Sequence, residues 1–497
     1  MHELSLTNRL LNHIQRAGNR LPDPVVVFLY LAVAIIIVSS ITSYLNLSAI
    51  HPVTQEVLYA NNLLNAEGIR QIVSKAVSNF TGFAPVGVVL VVMLGMGIAE
   101  HSGLISTLVK RLVAMSSPKH IAYWVSFAGI LSSLGADVGY VVLIPLAGVI
   151  YFRSGRPALA GIAVAFASVS AGFSANLFLG PIDVMLAGIS STAAQFVDTS
   201  TTVAASDNYY FIVASTFLLT FICGWLSNNV IEPRLQLLGK KDEPTLNEKQ
   251  SSSTEIENTK LWPVALFSLI FMMAILAATM INGAPFYSND GGFSLLLRNI
   301  VPLLAVYFGI SGYVYGRFNG VYNSLSDSVD GMVKAMQTMA YYIVLMFFAA
   351  QFVSYFSWSN LGIIFAISGA NVLSELALPT TVILLLMITV SALINLLIGS
   401  ASAKWTLLAP VFVPMLMLLG ISPEYTQMAF RIGDSSTNII TPLMPYFGIV
   451  LAYAQHYQKD LGLGDIISTM IPYSFALFSV WSMLFLAWVG FGIPLGP

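Results

Sequence analysis

Residues 395–442 read NLLIGSASAKWTLLAPVFVPMLMLLGISPEYTQMAFRIGDSSTNIITP. The flanks are apolar enough for lipid. The stretch nevertheless carries Asn395, Lys404, Arg431, Asp434 and Asn438, with SASAK and DSSTN tracts where a membrane helix should run uninterrupted. Polar and ionisable groups at membrane depth are costly and mark substrate or ion paths. A comparable pattern occurs once earlier, over residues 131–181, and a site is expected where the two meet.

The rest of the chain agrees with a membrane setting. Of its 497 residues, 57% are hydrophobic and 9% charged, against about 25% charged in soluble domains. Apolar runs longer than roughly 18 residues predict an all-α polytopic membrane protein rather than a β-barrel. A net charge of −2 offers no basic footprint for nucleic acid. Cys223 is the single cysteine, so neither an intrachain disulfide nor a multi-cysteine metal cage is expected. Residues 1–23 read as a cytoplasmic surface helix, because the apolar run after them exceeds a signal-peptide core.

Full spans are predicted at 24–45, 84–100, 157–190, 209–227, 261–281, 299–315, 339–356 (extending toward 366), 423–453 and 471–492. Those at 157–190 and 423–453 are interrupted. Residues 121–151 and 380–419 each hold enough chain for two shorter helices, turning at SSLGAD and IGSASAK. They read as re-entrant hairpins, whose irregular tips are tolerated only when buried in protein or lining water. Short interfacial helices are expected at 103–115 and 322–336.

With the N-terminus cytoplasmic, only Arg70, Lys75 and Arg298 fall outside. Lys404 and Arg431 lie within the membrane region, and the rest of the 21 basic residues lie inside, as the positive-inside rule requires. The two hairpins then face opposite ways. Each is followed by a short link, a proline and a broken helix: Ser154-Gly155-Arg156-Pro157 in one case, Gly420-Ile421-Ser422-Pro423 in the other. SAGFSANLFLGP (170–181) echoes DSSTNIITP (434–442). The expected architecture is nine transmembrane helices plus two opposite-facing re-entrant hairpins, an inverted repeat with two broken helices. Residues 1–231 form its first half, 232–260 a polar cytoplasmic linker, and 261–497 its second half.

Asp434 is the sharpest candidate for chemistry, since it opens the tract where the helix would unwind and free its carbonyls for a cation. Arg431, three residues earlier, shares that helical face. It reads either as the structural partner of Asp434 or as a bidentate seat for a substrate carboxylate. Asn395 offers a neutral oxygen to a hard cation, with Ser400 and Ser402 at the hairpin tip supplying hydroxyls or simply making the turn. Asn176, in the matching break, is an expensive choice in an apolar helix. Asp183 follows the Gly180-Pro181 break and Asp137 follows the first tip, and either could hold an ion or accept from a buried donor. Trp405 could stack on an aromatic substrate or pack in the interior. Pro145, Pro410, Pro423 and Pro442 read first as helix starts and kinks.

Several activities have no motif here. The sequence lacks HExxH and a GxxxxGK[ST] phosphate loop, and it lacks a GxSxG elbow. An enzyme would have to rest on Asp137 and Asp183 as a carboxylate pair, with no third group to support it. An ion gradient is the expected energy source.

GSASAKW (399–405), PVFVPM (410–415), ISPE (421–424) and AFRIGDSSTNIITPLMPYF (429–447) resemble the p-aminobenzoyl-glutamate transporter (AbgT) family. LSSLGADVGYVVLIPLAG (131–148) and SANLFLGPIDVMLAGIS (174–190) are similar to it as well. The resemblance implies a homodimer in the bacterial inner membrane, and movement of p-aminobenzoyl-glutamate or, in some members, antiport of sulfonamides and p-aminobenzoate. It places the substrate path at Asp183, Asn395, Ser402, Trp405, Pro423, Arg431, Asp434 and Pro442, with sodium near Asn395 and Asp434. No cofactor is implied beyond Na+ or H+ as coupling ion. An uptake carrier for dicarboxylates or nucleosides on the same architecture is the alternative.

Overall fold

A chain in lipid must satisfy its own backbone amides, and helices do so within each segment. The computed structural model is accordingly built of helices. The single strand pairing among the described residues is Ser48–Ile50 with Val57–Tyr59. The structure describes residues 23–50, 56–114, 117, 119–135, 138–237, 259–287, 295–296, 299–441, 443–444 and 446–497. The expected N-terminal surface helix and most of the 232–260 linker lie outside them.

Among the described residues, seven helical segments are long and apolar enough to cross a membrane. Their cores are Pro24–Tyr44, Ala84–His101, Tyr209–Leu226, Trp262–Met280, Ile300–Phe318, Ala340–Trp358 and Leu463–Gly490. The first starts at Asp23, whose carboxylate accepts from the Val25 amide at 2.8 Å, with Pro24 at the first helical position. Trp262–Met280 is apolar all round, yet Pro263 is its only buried residue. A helix of that kind is at home only in hydrocarbon.

The two predicted interrupted spans are broken helices. One runs Ala158–Phe166, widens through a π-helical turn at Ala167–Ala171, unwinds, and resumes as Pro181–Ala194. The other runs Pro423–Thr437, unwinds, and resumes as Phe447–Tyr457. Two successive short helices lie where each hairpin is expected. Ile121–Leu131 and Ile144–Arg153 flank the first tip, Thr380–Asn395 and Ala401–Met417 the second. At 1.5 Å per residue, the arms of the second are about 25 Å long, short of the roughly 30 Å of hydrocarbon. Ser400 caps the returning arm by accepting from the Ala403 amide at 3.4 Å.

One boundary differs from expectation. The 339–366 run is two helices, Ala340–Trp358 and Leu361–Glu375. Asn360 between them adopts φ 59°, a left-handed conformation that asparagine tolerates. Its side chain donates to Tyr59 O at 2.9 Å, and the Asn61 amide donates to Ser359 O at 3.0 Å. The corner is thus pinned beside the strand pair, and its polar interruption, Ser357, Ser359 and Asn360, is short.

The order span, short helix, hairpin, broken helix, span occurs twice: from Ala84–His101 to Tyr209–Leu226 and from Ala340–Trp358 to Leu463–Gly490. The copies exchange contacts reciprocally. Ala84–His101 packs on Ile300–Phe318 and Leu325–Thr338 of the second half, while Ala340–Trp358 packs on Pro24–Tyr44 and Ala66–Thr81 of the first. The resumed helix Pro181–Ala194 lies on the second hairpin, and Phe447–Tyr457 lies on the first. At Gly95 a Cβ would meet Ala305 O at 2.0 Å, so the first of these crossings is a direct backbone approach of the kind small residues allow.

Candidate functional site

Pro423–Thr437 is polar on average, yet almost every residue in it is buried. Its polar side chains must therefore find partners inside the protein, and they find them on three other elements. At the crossing with Thr380–Asn395, a Cβ on Gly433 would lie 2.1 Å from Ile388 O. Glycine there lets the two backbones touch and brings Asn395 against Asp434 and the residues after it.

Arg431 does not pair with Asp434, as their spacing suggested. Its Nη2 donates to Asp183 Oδ1 at 2.7 Å and to Ser174 O at 2.9 Å, both in the first broken helix. The reason lies in how Asp183 is held. It is the third residue of Pro181–Ala194, and its Oδ2 accepts from the Gly180 amide at 2.8 Å. The helix N-terminus therefore fixes this carboxylate, with its second oxygen turned to the guanidinium.

Asp434 instead forms an ion pair with Lys404, from the returning arm of the second hairpin. The Lys404 ammonium also donates to Asn395 Oδ1. Asn395 is oriented by its own amide nitrogen, which donates to Asp434 O at 2.6 Å, Thr437 Oγ1 at 2.9 Å and Asn438 Oδ1 at 3.0 Å. Asn438 in turn donates to Ser170 O at 3.3 Å, a carbonyl in the π-helical turn, where the ordinary helical ladder is disturbed. Sequence reasoning named Lys404 among the polar groups of this stretch but gave it no role in the site. Its signal was present: a lysine inside an apolar run, assigned to no loop, nine residues after Asn395.

Asn395 and Asp434 do face one another, as a Na+ site would require. However, the Lys404 ammonium lies between their oxygens, and the Asp434 carbonyl is taken by Asn395. A hard cation needs several free oxygens; here Asn395 Oδ1, Asp434 Oδ1 and the Asp434 carbonyl are engaged, and of this pair's oxygens Asp434 Oδ2 alone is left open among the described residues.

Trp405 is fully buried, with its ring stacked on Phe430 at 4.5 Å between centroids. Its indole nitrogen donates to Ser190 Oγ at 2.9 Å and Leu186 O at 3.3 Å. In this arrangement it clamps the second hairpin to the first broken helix. The polar chain continues outward: Ser190 donates to Gln427 at 2.6 Å, and Gln427 donates to Asn208 at 2.7 Å. Beside it, in the loop outside the spans, burial pushes the Asp207 carboxyl up to about 6. An amide donated by Ala204 opposes the rise, and the nearby Glu424 adds to it.

The remaining expected residues are placed apart. Asn176 donates to Ser133 Oγ at 2.9 Å and accepts from the Phe178 amide at 3.2 Å, tying the first break to the first hairpin tip. Ser402 contacts Ser400 at 3.1 Å in the second tip. Pro423 starts its helix two turns before Arg431. Asp137 and Pro442 lie outside the described residues.

The site thus holds two acids and two bases, all buried, in two ion pairs. Several of its polar atoms have no hydrogen-bond partner among the described residues: Arg431 Nε and Nη1, Asp434 Oδ2, Ser174 Oγ and Ser435 Oγ. Buried polar atoms are almost always satisfied. Two of these exceptions, Nε and Nη1, are donors on the one buried guanidinium of Arg431.

Residues 9–497 match the family model of the AbgT transporter family. The chain is 33% identical over 498 residues to the p-aminobenzoyl-glutamate transport protein of Escherichia coli (strain K12), covering 99% of this chain and 97% of that one. Its fold is similar to the crystal structure of the Alcanivorax borkumensis YdaH transporter, with TM-score 0.90 and 47% identity, over 96% of this chain and all of that one. It is also similar to Neisseria gonorrhoeae MtrF, described within a class of antimetabolite efflux pumps, with TM-score 0.89 and 40% identity over 97% of each chain. A match along nearly the whole length, in both sequence and fold, makes this chain a member of the AbgT transporter family.

Proposed function

We propose that this chain is an ion-coupled secondary transporter of p-aminobenzoyl-glutamate and p-aminobenzoate-type aromatic amines, working as an antiporter that exports sulfonamide antimetabolites. The observation that carries this reading is Arg431. It is 1% exposed and sits between the two broken helices, with Nε and Nη1 lacking partners. A planar guanidinium with two free donors suits a carboxylate. The curated relative in Escherichia coli carries p-aminobenzoyl-glutamate by name, and the MtrF neighbour belongs to antimetabolite efflux pumps; both support the substrate class.

In this reading the hairpin tips and both breaks enclose one site near the midplane of a bacterial inner membrane, with the N-terminus cytoplasmic. Arg431 holds the guest's carboxylate, or the polar head of a sulfonamide, while Asp183 keeps the guanidinium aimed. Trp405 borders the aromatic end. The helices Ala84–His101 and Ala340–Trp358, each packed on the opposite half, form the scaffold against which the hairpin-bearing core moves, and the scaffold is also the homodimer's place of assembly.

Competition binding on the purified protein tests the substrate class. Labelled p-aminobenzoate displaced by p-aminobenzoyl-glutamate and by a sulfonamide, but not by succinate or a nucleoside, is the expected result. Displacement by succinate or a nucleoside alone would replace this reading with a dicarboxylate or nucleoside carrier.

A further inference from the structure

The oxygens that look like a cation site already hold a cation. Lys404, fully buried, directs its ammonium to Asn395 Oδ1 and Asp434 Oδ1. We propose that Lys404 is the resident, tethered cation of this site, and that Na+ does not bind at Asn395 and Asp434 while Lys404 is engaged there.

Three observations carry the inference. First, Asn395 is locked. Three acceptors surround its amide nitrogen at 2.6–3.0 Å, so its oxygen can only face Lys404. Second, the Asp434 backbone carbonyl, which a metal would recruit, is the nearest of those acceptors. Third, the charge of the guest-free site is already balanced. Lys404 neutralises Asp434 and Arg431 neutralises Asp183, so Na+ entering without an anion would leave an uncompensated positive charge in a buried site. With Lys404 removed, the same oxygens would be left as a free carboxylate beside a neutral amide oxygen, the donors a hard cation prefers.

Position gives the pair a mechanical meaning. Lys404 lies on the returning arm of the second hairpin and Asp434 on the second broken helix. Anything that takes over the carboxylate breaks this one link between the returning arm and that helix. This inference rests on the ion pair alone and holds whichever substrate is carried.

Equilibrium dialysis with 22Na+ on the purified full-length protein, in choline buffer of constant ionic strength, tests it. Wild type is expected to hold no Na+ that depends on Asp434. Lys404→Ala and Lys404→Gln are each expected to gain about one saturable Na+ per chain, with a matching Na+-dependent rise in melting temperature. Lys404→Ala combined with Asp434→Asn loses both. If Lys404→Ala fails to fold, the glutamine variant, which keeps a long polar side chain, carries the same arm. About one Na+ per chain in wild type, abolished by Asp434→Asn, would overturn the proposal. Absence of Na+ from both folded lysine variants would overturn it equally.

Discussion

Arg431 and Asp183 stand 248 residues apart in the chain and meet at 2.7 Å in the interior, each from a broken helix of a different half. Breaking a buried pair by removing one partner leaves an uncompensated charge and costs about 3–5 kcal/mol. Asp183→Asn is therefore expected to lower thermal stability markedly, and Arg431→Gln in the Asp183→Asn background to recover part of the loss. A double-mutant cycle of melting temperatures checks this. Simple additivity of the two losses would mean that the pair does not act as a unit.

Gly433 is expected to tolerate no side chain. A methyl group at this position meets Ile388 O at 2.1 Å, so Gly433→Ala must separate the two helices and loosen Asn395 from Asp434. Gly448 has nothing within 4 Å of its added Cβ, which makes Gly448→Ala the control. Melting curves should fall by several degrees for the first variant and stay within about one degree for the second.

Trp405 fills the interior and ties two elements by its indole nitrogen. Trp405→Ala should cost about 3–5 kcal/mol for the lost contacts and cavity. Trp405→Phe keeps a ring against Phe430 and should cost chiefly the hydrogen bonds to Ser190 and Leu186, about 1 kcal/mol. Equal losses from the two would show that the ring stack contributes little.

Most of this fold was legible because lipid imposes it. Apolar length set the spans, and the small polar residues of SASAK and DSSTN pointed to interruptions, which the structure places just before Ala401 and just after Thr437. The Trp358 to Leu361 corner was carried only by Ser357, Ser359 and Asn360, too short a polar interruption to separate two helices by apolar length alone. The candidate site divided in a similar way. Asn395, Arg431, Asp434 and Asp183 stood out as polar groups in apolar surroundings, and the structure brings them together. Who pairs with whom did not follow from spacing. Arg431 and Asp434 are three residues apart, but helix packing hands one to Asp183 and the other to Lys404. Asn176 carried the same sequence signal as Asn395 and serves the first hairpin tip instead.

Asp207 makes stability depend on pH in a defined direction. Its carboxyl is raised from 3.8 to about 6, first by burial. The unfolded state therefore ionises at lower pH than the folded one. The contribution of this group is full below about pH 4 and is lost as pH rises through about 6. Asp207→Asn should match wild type near pH 4 and be more stable above pH 6. Parallel melting curves across that range would show that the group is not perturbed.

The central claim is gradient-driven transport through the site around Arg431. Its most direct test is flux of labelled p-aminobenzoate and a sulfonamide in proteoliposomes, with Na+ and H+ gradients imposed separately. Movement against the substrate gradient under one of them, retained in a surface control and abolished by Arg431→Gln, is the expected result. Flux that ignores both gradients, or persists unchanged without the Arg431 guanidinium, would contradict the account.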